Sequence, residues 1–522
     1  MTRLWPAWSY GLTLIAVICG ALPLLAGRPA ALEDWPGHVA RIEILAQLLA
    51  GNAFWSQFYQ INTFLLPNIS VDISVLALHA MGLSVPVPVA VAAEITLVAT
   101  YALFVGAASA LAWALRVGDP LKPLCAVVLF YNGALMDGFV NYMMGAAVAL
   151  YFLAAWVMAS RAVSRLLIAS LGGVVVFFCH IVAAGFFLCV LGWLELATLL
   201  RTRWSVGVLC RHASPMVAAV PVFILFALSP TSGASGIYYG NDLSVPGILK
   251  SKLSLFVHPV LDGSGPLGAA ILLIGAVVLV ATLALAMWRG RLILRALPGW
   301  FVLVPGLIAL FLLAPNGVGD GLGLDYRLPP LAFLLAVLFV RLEWRDGRLQ
   351  LLCFAILLLL SLVRSASLTR DAVANQTVYS GFAAAARTIP GDSMLLSGIG
   401  TPRAVIPWAE FWRPPAEYMG TLAIADRVFV PSVFAVRSQH TLVLREVFGG
   451  LRRQFDVSGP DGLAEMGGVA RTTCALWQQL GHKGSVYMVV VYPSAFSDVA
   501  FALAARRAAG EGLRVVDLCM MG

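Results

Sequence analysis

Residues 10–38 read YGLTLIAVICGALPLLAGRPAALEDWPGH, and this stretch sets the class of the chain. From Tyr10 to Gly27 there is no charged residue. A run of that length can cross a bilayer, which takes about 20 apolar residues in a helix. Just behind it stand two adjacent acids, Glu33 and Asp34, then Trp35-Pro36-Gly37 and His38. Packing does not need an acidic pair at the mouth of a membrane helix, so the pair marks a place where chemistry is expected. Ala26-Gly27 before Pro29-Ala30-Ala31 is weakly compatible with signal-peptide cleavage. The many apolar runs that follow favour an uncleaved anchor.

Working outward, composition agrees. Of 522 residues, 60% are hydrophobic and 11% charged, with a mean hydropathy of +0.89. Soluble domains carry about 25% charged residues; only lipid can receive this much apolar surface. The net charge of +8 comes from arginines and lysines in short clusters between apolar runs. That placement speaks for positive-inside topology and against a nucleic-acid partner. Spans are expected at 10–27, 88–115, 121–136, 139–160, 166–180, 182–200, 214–229, 267–288, 297–314, 328–343 and 349–364. The basic clusters fall at every second connection: Arg3; Arg116 and Lys122; Arg161 and Arg165; Arg201, Arg203 and Arg211; Arg289, Arg291 and Arg295; Arg341, Arg345 and Arg348. Placing them all inside leaves 365–522 outside, in the periplasm of a bacterium whose inner membrane holds the chain. The apolar segment 64–82 breaks this alternation and reads as re-entrant or interfacial.

The expected fold is therefore an α-helical polytopic membrane protein of roughly eleven transmembrane helices, with interfacial or re-entrant helices and a C-terminal soluble α/β domain. Residues 1–364 form the membrane part and 365–522 the extracytoplasmic domain. In that domain, helical Phe382 to Arg387 leads through Pro390-Gly391-Asp392 to a strand at Met394-Leu395-Leu396. Val486 to Tyr492, a helix from Ala495 to Ala509, and Leu513 to Leu518 read as strand, helix, strand, which suggests a parallel pair with a crossover. Cys474 and Cys519 are free to pair if the domain faces an oxidising compartment, and the sequence leaves that open. No C-x-x-C motif and no internal repeat occurs.

Pro36 suits the first turn of a helix, with Asp34 at the cap position. The helix should run to Leu49 and stop at Gly51-Asn52. Ile42, Leu45, Leu48 and Leu49 oppose His38, Arg41 and Glu43, which makes an amphipathic outer-surface helix over about residues 35–50. The plain alternatives are an N-cap for Asp34 and a solvated interface residue for His38. Further polar residues at membrane depth are Asn68, Asp72, His79, Glu94, Asp137 and Asn141, which should face a cavity or one another. The loop Asn316 to Arg327 is glycine-rich, but no strand precedes it, which excludes a dinucleotide site. Its end, Asp325-Tyr326-Arg327, is more telling, because an arginine at the outer surface can clamp a phosphate with two parallel bonds. The long loop 231–266 adds Tyr238, Tyr239, Asn241, Asp242, Lys250, Lys252 and His258, which are either phosphate ligands or solvated.

Taken together, these features resemble the GT-C superfamily of integral membrane glycosyltransferases. The likeness lies in an acidic pair with a nearby histidine after the first span, Leu66-Pro67-Asn68 opening a second helix, and Asp137 to Ala159 as a span that begins with a polar residue. Asp325-Tyr326-Arg327-Leu328-Pro329-Pro330, and later Ala423-Ile424-Ala425-Asp426 with Phe429-Val430-Pro431, are similar to segments of bacterial membrane proteins of the same layout. The resemblance implies transfer of a sugar from a polyprenyl-phosphate carrier to an extracytoplasmic lipid, glycan or protein. In that frame Asp34 is the base, and Glu33 or His38 positions it. A divalent metal, Mg or Mn, would be held by Asp34 and His38. Arg327, with Tyr326, Asp325, Lys250, Lys252 or His258, would bind the phosphate, and the sugar would lie near Asp137 and Asn141. The residues after Asp34 depart from the mannosyl- and aminoarabinosyl-transferase patterns, so donor and acceptor stay open. The competing readings are a transporter or flippase using Asp72, Glu94 and Asp137, and a non-catalytic scaffold for envelope polysaccharide assembly.

Overall fold

The computed structural model describes residues 5–27, 30, 32, 34–62, 65–82, 86–202, 205, 208, 212, 214–233, 236–238, 244–261, 265–318, 321–399, 427–431, 433, 435, 437–451, 455–456, 472–482, 484–491, 513–517 and 519. Among them, seven helices are long and apolar enough to cross a membrane: Ala7–Ala26, Val89–Ala114, Val140–Met158, Ala162–Cys179, Ile181–Leu199, Ala269–Trp288 and Gly347–Ala374. Ser70–Ala80, Leu121–Phe130, Pro215–Leu228, Trp300–Leu313 and Leu328–Leu338 are apolar but shorter. The chain is a polytopic helical membrane protein, and four of the expected spans are short helices. Local chemistry explains two of the breaks. Asn132 ends the expected 121–136 span by accepting the Leu135 N–H at 3.2 Å and starting the separate turn Gly133–Met136. After Leu338, the chain turns into the strand Val340–Trp344 instead of continuing to 343 as helix. Ser70–Ala80, in the segment read as re-entrant, has 11 residues. At 1.5 Å per residue that is about 16 Å, roughly half the hydrocarbon thickness.

By packing, the chain divides into two compact units that are not contiguous in sequence. The first comprises Met1–Pro23, Phe64–Val71 and Thr96–Thr369. The second comprises Leu24–Thr63, Asp72–Ile95 and Arg370–Gly522.

In the first unit, small residues let helices approach closely. A Cβ on Gly145 would lie 2.9 Å from Ala183 Cβ and 3.2 Å from Cys179 Cβ. Tyr101 donates its hydroxyl to the Val17 carbonyl at 2.7 Å. Arg364, within the last long span, donates to the Tyr131 carbonyl, which gives a buried cation a fixed acceptor. Buried Lys122 donates to the carbonyls of Val337 (2.8 Å) and Val340 (3.0 Å), where the helix gives way to the strand. Leu292–Ala296 and Val340–Trp344 pair antiparallel into a ribbon, and its Leu292 and Trp344 join Ala16, Leu124 and Phe354 in one apolar cluster.

In the second unit, the connection after the first span and the C-terminal residues share a core. Strand Tyr59–Ile61 pairs antiparallel with Leu442–Leu444. Asn62 donates to the carbonyls of Arg437 (2.8 Å) and His440 (2.9 Å). Phe58 stacks on Phe429 with centroids 4.2 Å apart, and Phe54, Trp55, Phe448 and Trp477 complete a buried aromatic core. The α/β sheet has Met394–Ile399 between parallel partners Val486–Val491 and Phe455–Asp456. Val486–Val491 pairs antiparallel with Leu513–Asp517, not parallel as the strand–helix–strand order suggested. Its parallel partner is the strand from residue 394, so the crossover is the long stretch between them. The helix expected at 495–509 lies outside the described residues, as does Ala423 to Asp426. Gly484 explains how the edge closes: a Cβ there would lie 2.3 Å from the Asp392 carbonyl oxygen. Cys474 and Cys519 form a disulfide with Cα atoms 5.6 Å apart.

Candidate functional site

In the first unit the chemistry gathers around Arg327. This residue opens the Leu328–Leu338 helix, whose first turn carries Pro329 and Pro330. Its side chain is buried, and the guanidinium carbon lies 3.8 Å from the centroid of Phe139, a cation–π contact that fixes the plane of the group. Its backbone carbonyl accepts the Tyr142 hydroxyl at 2.6 Å. Arg327 Nη1 stands 3.3 Å from Nε2 of His180. His180 is the one residue between the spans Ala162–Cys179 and Ile181–Leu199, and it caps the second by accepting the Val182 N–H on Nδ1 at 3.1 Å. A neutral imidazole has one acceptor nitrogen. With Nδ1 so used, a neutral ring carries its proton on Nε2 and presents a donor beside the Arg327 guanidinium. Arg327, Asn132 and Tyr142 line a small cavity whose other walls are apolar, Phe104, Met143 and Leu331 among them. Such an arrangement suits an oxyanion.

The other residues expected here are engaged in different ways. Lys252 and Asp325 are both buried and bind each other, Nζ to Oδ2 at 2.7 Å. Lys252 also donates to the Ala314 carbonyl at 2.6 Å, and Asp325 Oδ1 accepts the Tyr326 N–H at 2.9 Å. This pair fastens the loop that delivers Arg327. Asn141 Oδ1 accepts from Ser70 Oγ and the Val71 N–H, each at 3.0 Å. Asp137 is half-buried and closes the Gly133–Met136 turn through its backbone. Tyr326 is buried and Lys250 exposed. His258 lies on the helix Val245–Leu261, with its side chain outside the described residues, as are Tyr239, Asn241 and Asp242 altogether.

In the second unit the expected helix forms over Trp35–Leu49 and ends before Gly51 at φ +79°. Asp34 occupies the N-cap place but makes no side-chain cap bond, so capping is not what engages its carboxylate. Glu33 lies outside the described residues. The helix is more enclosed than its pattern implied. Arg41, placed on the polar face by sequence, is fully buried and donates from Nη2 to Asp72 Oδ1 at 2.5 Å. Asp72 Oδ2 accepts the Thr441 hydroxyl at 2.5 Å. Arg41 Nε and Nη1 are buried with no hydrogen-bond partner among the described residues. His38 lies one turn before Arg41, between Trp35 (centroids 6.4 Å apart) and His440 (6.2 Å). Burial first, and then the Arg41 guanidinium, hold the His38 imidazole well below its ordinary pKa, so it is neutral near pH 7. Glu94 accepts from the Ala30 N–H at 3.1 Å and from Trp35 Nε1 at 3.5 Å, tying down the segment that carries the acidic pair. Among the described residues, no group of three or more His, Cys, Asp or Glu is placed to hold a metal ion.

Sequence reasoning named Arg327, Asp34 and His38 but missed Arg41 and His180 as site residues. A lone histidine between two long apolar runs was a usable signal for His180. Arg41 gave none, because its partner Asp72 lies 31 positions along the chain.

The spans and short apolar helices make this chain a polytopic helical membrane protein. Among solved structures, the chain is similar to the crystal structure of ArnT from Cupriavidus metallidurans bound to undecaprenyl phosphate. The match covers 95% of this chain and 94% of that one, with a TM-score of 0.52 at 13% identity, and what it shows is the fold. No family model and no curated protein matches the sequence.

Proposed function

We propose that this chain is a membrane glycosyltransferase that takes a sugar from a polyprenyl-phosphate carrier and transfers it to an extracytoplasmic lipid, glycan or protein. The observation that carries the reading is the Arg327–His180 pair: two buried side chains that meet at 3.3 Å, with Arg327 lining a small cavity. Such a pair matches the oxygens of a leaving phosphate, whose charge grows as the bond breaks. In the reaction, the acceptor hydroxyl oxygen bonds to the anomeric carbon, and the bond from that carbon to the phosphate oxygen breaks. The hydroxyl proton goes to a carboxylate, the role expected of Asp34 from the sequence, and the carrier departs as polyprenyl phosphate. Glu33 and His38 orient the base. Arg41, with two buried donor nitrogens unused, gives the second unit an affinity for an oxyanion as well. Asp72 and Glu94, which a proton path would need, are instead tied to named partners.

The same reading places the protein in a bacterial inner membrane with its C-terminal domain in the periplasm. Three features support this: the basic residues cluster on the opposite connections, the first outer loop and residues 442–444 share a strand pair, and the tail carries a disulfide. The test is sugar transfer by the purified full chain from a polyprenyl-phosphate donor, with Asp34→Asn beside the parent. Loss of transfer with expression intact is expected, and retained transfer in Asp34→Asn overturns the assignment of the base.

A further inference from the structure

The ribbon formed by Leu292–Ala296 and Val340–Trp344 carries chemistry that the proposed reaction does not use. Alternate residues of a strand point to opposite faces. The register sets Leu292 against Trp344 and Leu294 against Leu342, which makes one face wholly apolar, with Leu292 and Trp344 buried. On the other face Arg295 stands directly opposite Arg341, and Ile293 opposite Glu343. One step on, the Arg345 N–H donates to the Arg291 carbonyl at 2.8 Å, so these two arginines are opposed as well. Like charges directly opposite on a sheet destabilise it. Two such pairs on one five-residue ribbon call for an anion outside the chain.

The acids nearby do not supply enough negative charge. Arg295 bonds Glu343 at 2.9 Å and Arg291 bonds Asp346 at 2.5 Å, but the Arg295 and Arg291 side chains remain 64% and 51% exposed. Exposed pairs of this kind are weak and exchange readily. Arg341 donates to the Arg116 backbone carbonyl at 3.1 Å, and Arg289 and Arg348 flank the two strands in sequence. The ribbon also sits at a defined depth. It joins ends of apolar helices, directly after Trp288, which is 85% exposed, and before Phe301, 66% exposed. Aromatic side chains exposed at span ends settle at headgroup level.

We propose that the arginine face of this ribbon is a binding site for the headgroup phosphates of anionic phospholipids in the leaflet that faces the basic connections. Guanidinium groups in opposed pairs fit phosphate oxygens bidentately, and a lipid phosphate between them removes the repulsion that the register imposes. The apolar face, with Leu294 42% exposed, extends the contact toward acyl chains. The proposal is independent of the sugar-transfer reading and stands or falls without it.

The test is native mass spectrometry of the delipidated full chain titrated with phosphatidylglycerol or phosphatidylcholine. The parent is expected to retain phosphatidylglycerol in preference, and to lose about fivefold of that preference for each arginine removed. Arg345→Gln, exposed and in no side-chain ion pair given above, serves as the variant that keeps its fold; Arg295→Gln with Arg341→Gln deepens the loss. Equal retention of the two lipids by the parent, or unchanged preference in Arg345→Gln and the double variant, overturns the site. Arg161→Gln with Arg201→Gln, on two other basic connections, should leave the preference unchanged; an equal loss there overturns a specific site in favour of diffuse charge.

Discussion

Arg41 and Asp72 carry the most consequential single contact in the second unit. Both are buried, and among the described residues the acid also accepts from Thr441. Removing one charge of a buried pair strands the other at a cost of about 3–5 kcal/mol. Arg41→Ala is therefore expected to lower the unfolding midpoint sharply, and Arg41→Met with Asp72→Leu to recover most of it. Equal destabilisation by the single and the double variant in thermal unfolding would show that the pair is not what matters. His38 makes a second prediction at this scale. Its pKa in the folded state is depressed by burial, so above about pH 6.5 it is neutral in both states and contributes nothing to pH dependence. Below that, the unfolded chain takes up the proton first, and stability falls as pH falls. His482 stacks on Trp477 at 3.9 Å and its pKa is likewise lowered by burial, so it adds to the same trend. Thermal midpoints measured from pH 8 to 5 should drop less steeply in His38→Asn and His482→Gln than in the parent.

At the level of elements, the fold depends on a few close approaches. Gly145 lets the Val140–Met158 helix lie against Cys179 and Ala183, on either side of His180. An added side chain meets Cβ atoms that cannot rotate away, so Gly145→Leu should cost about 1–3 kcal/mol and displace His180. The accompanying readout is weaker binding of undecaprenyl phosphate; an intact affinity would separate His180 from the phosphate. The Trp35–Leu49 helix was legible because Pro36, the apolar spacing and Gly51 are local signals; the strands at 486 and 513 were legible from their β-branched residues, and that at 394 from an apolar run after Pro390-Gly391-Asp392. Pairing was not legible, because register and direction are set by partners far along the chain. For that reason Val486–Val491 with Leu513–Asp517 came out antiparallel. The arginine ribbon was missed although its charges alternate with period two, since basic residues between spans read first as topology signals.

Across the molecule, the connection after the first span and the C-terminal residues fold as one unit around Phe58, Phe429 and Trp477. The linear division at residue 364 could not show this, because nothing local in either segment announces the other. The disulfide should stabilise that unit: Cys474→Ser opens a loop of sequence separation 45 and is expected to cost about 3–4 kcal/mol, seen as a lower midpoint without reductant and no difference with it. The central claim is that this membrane fold holds a lipid-linked phosphate through Arg327. The most direct measurement is native mass spectrometry of the purified full chain with undecaprenyl phosphate, comparing the parent with Arg327→Ala. Losing a charged hydrogen-bonding group is worth about 1.5–3 kcal/mol, roughly tenfold or more in affinity. The account predicts one bound lipid phosphate in the parent and at least that weakening in Arg327→Ala with the fold intact; no binding by the parent, or equal binding by both, would contradict it.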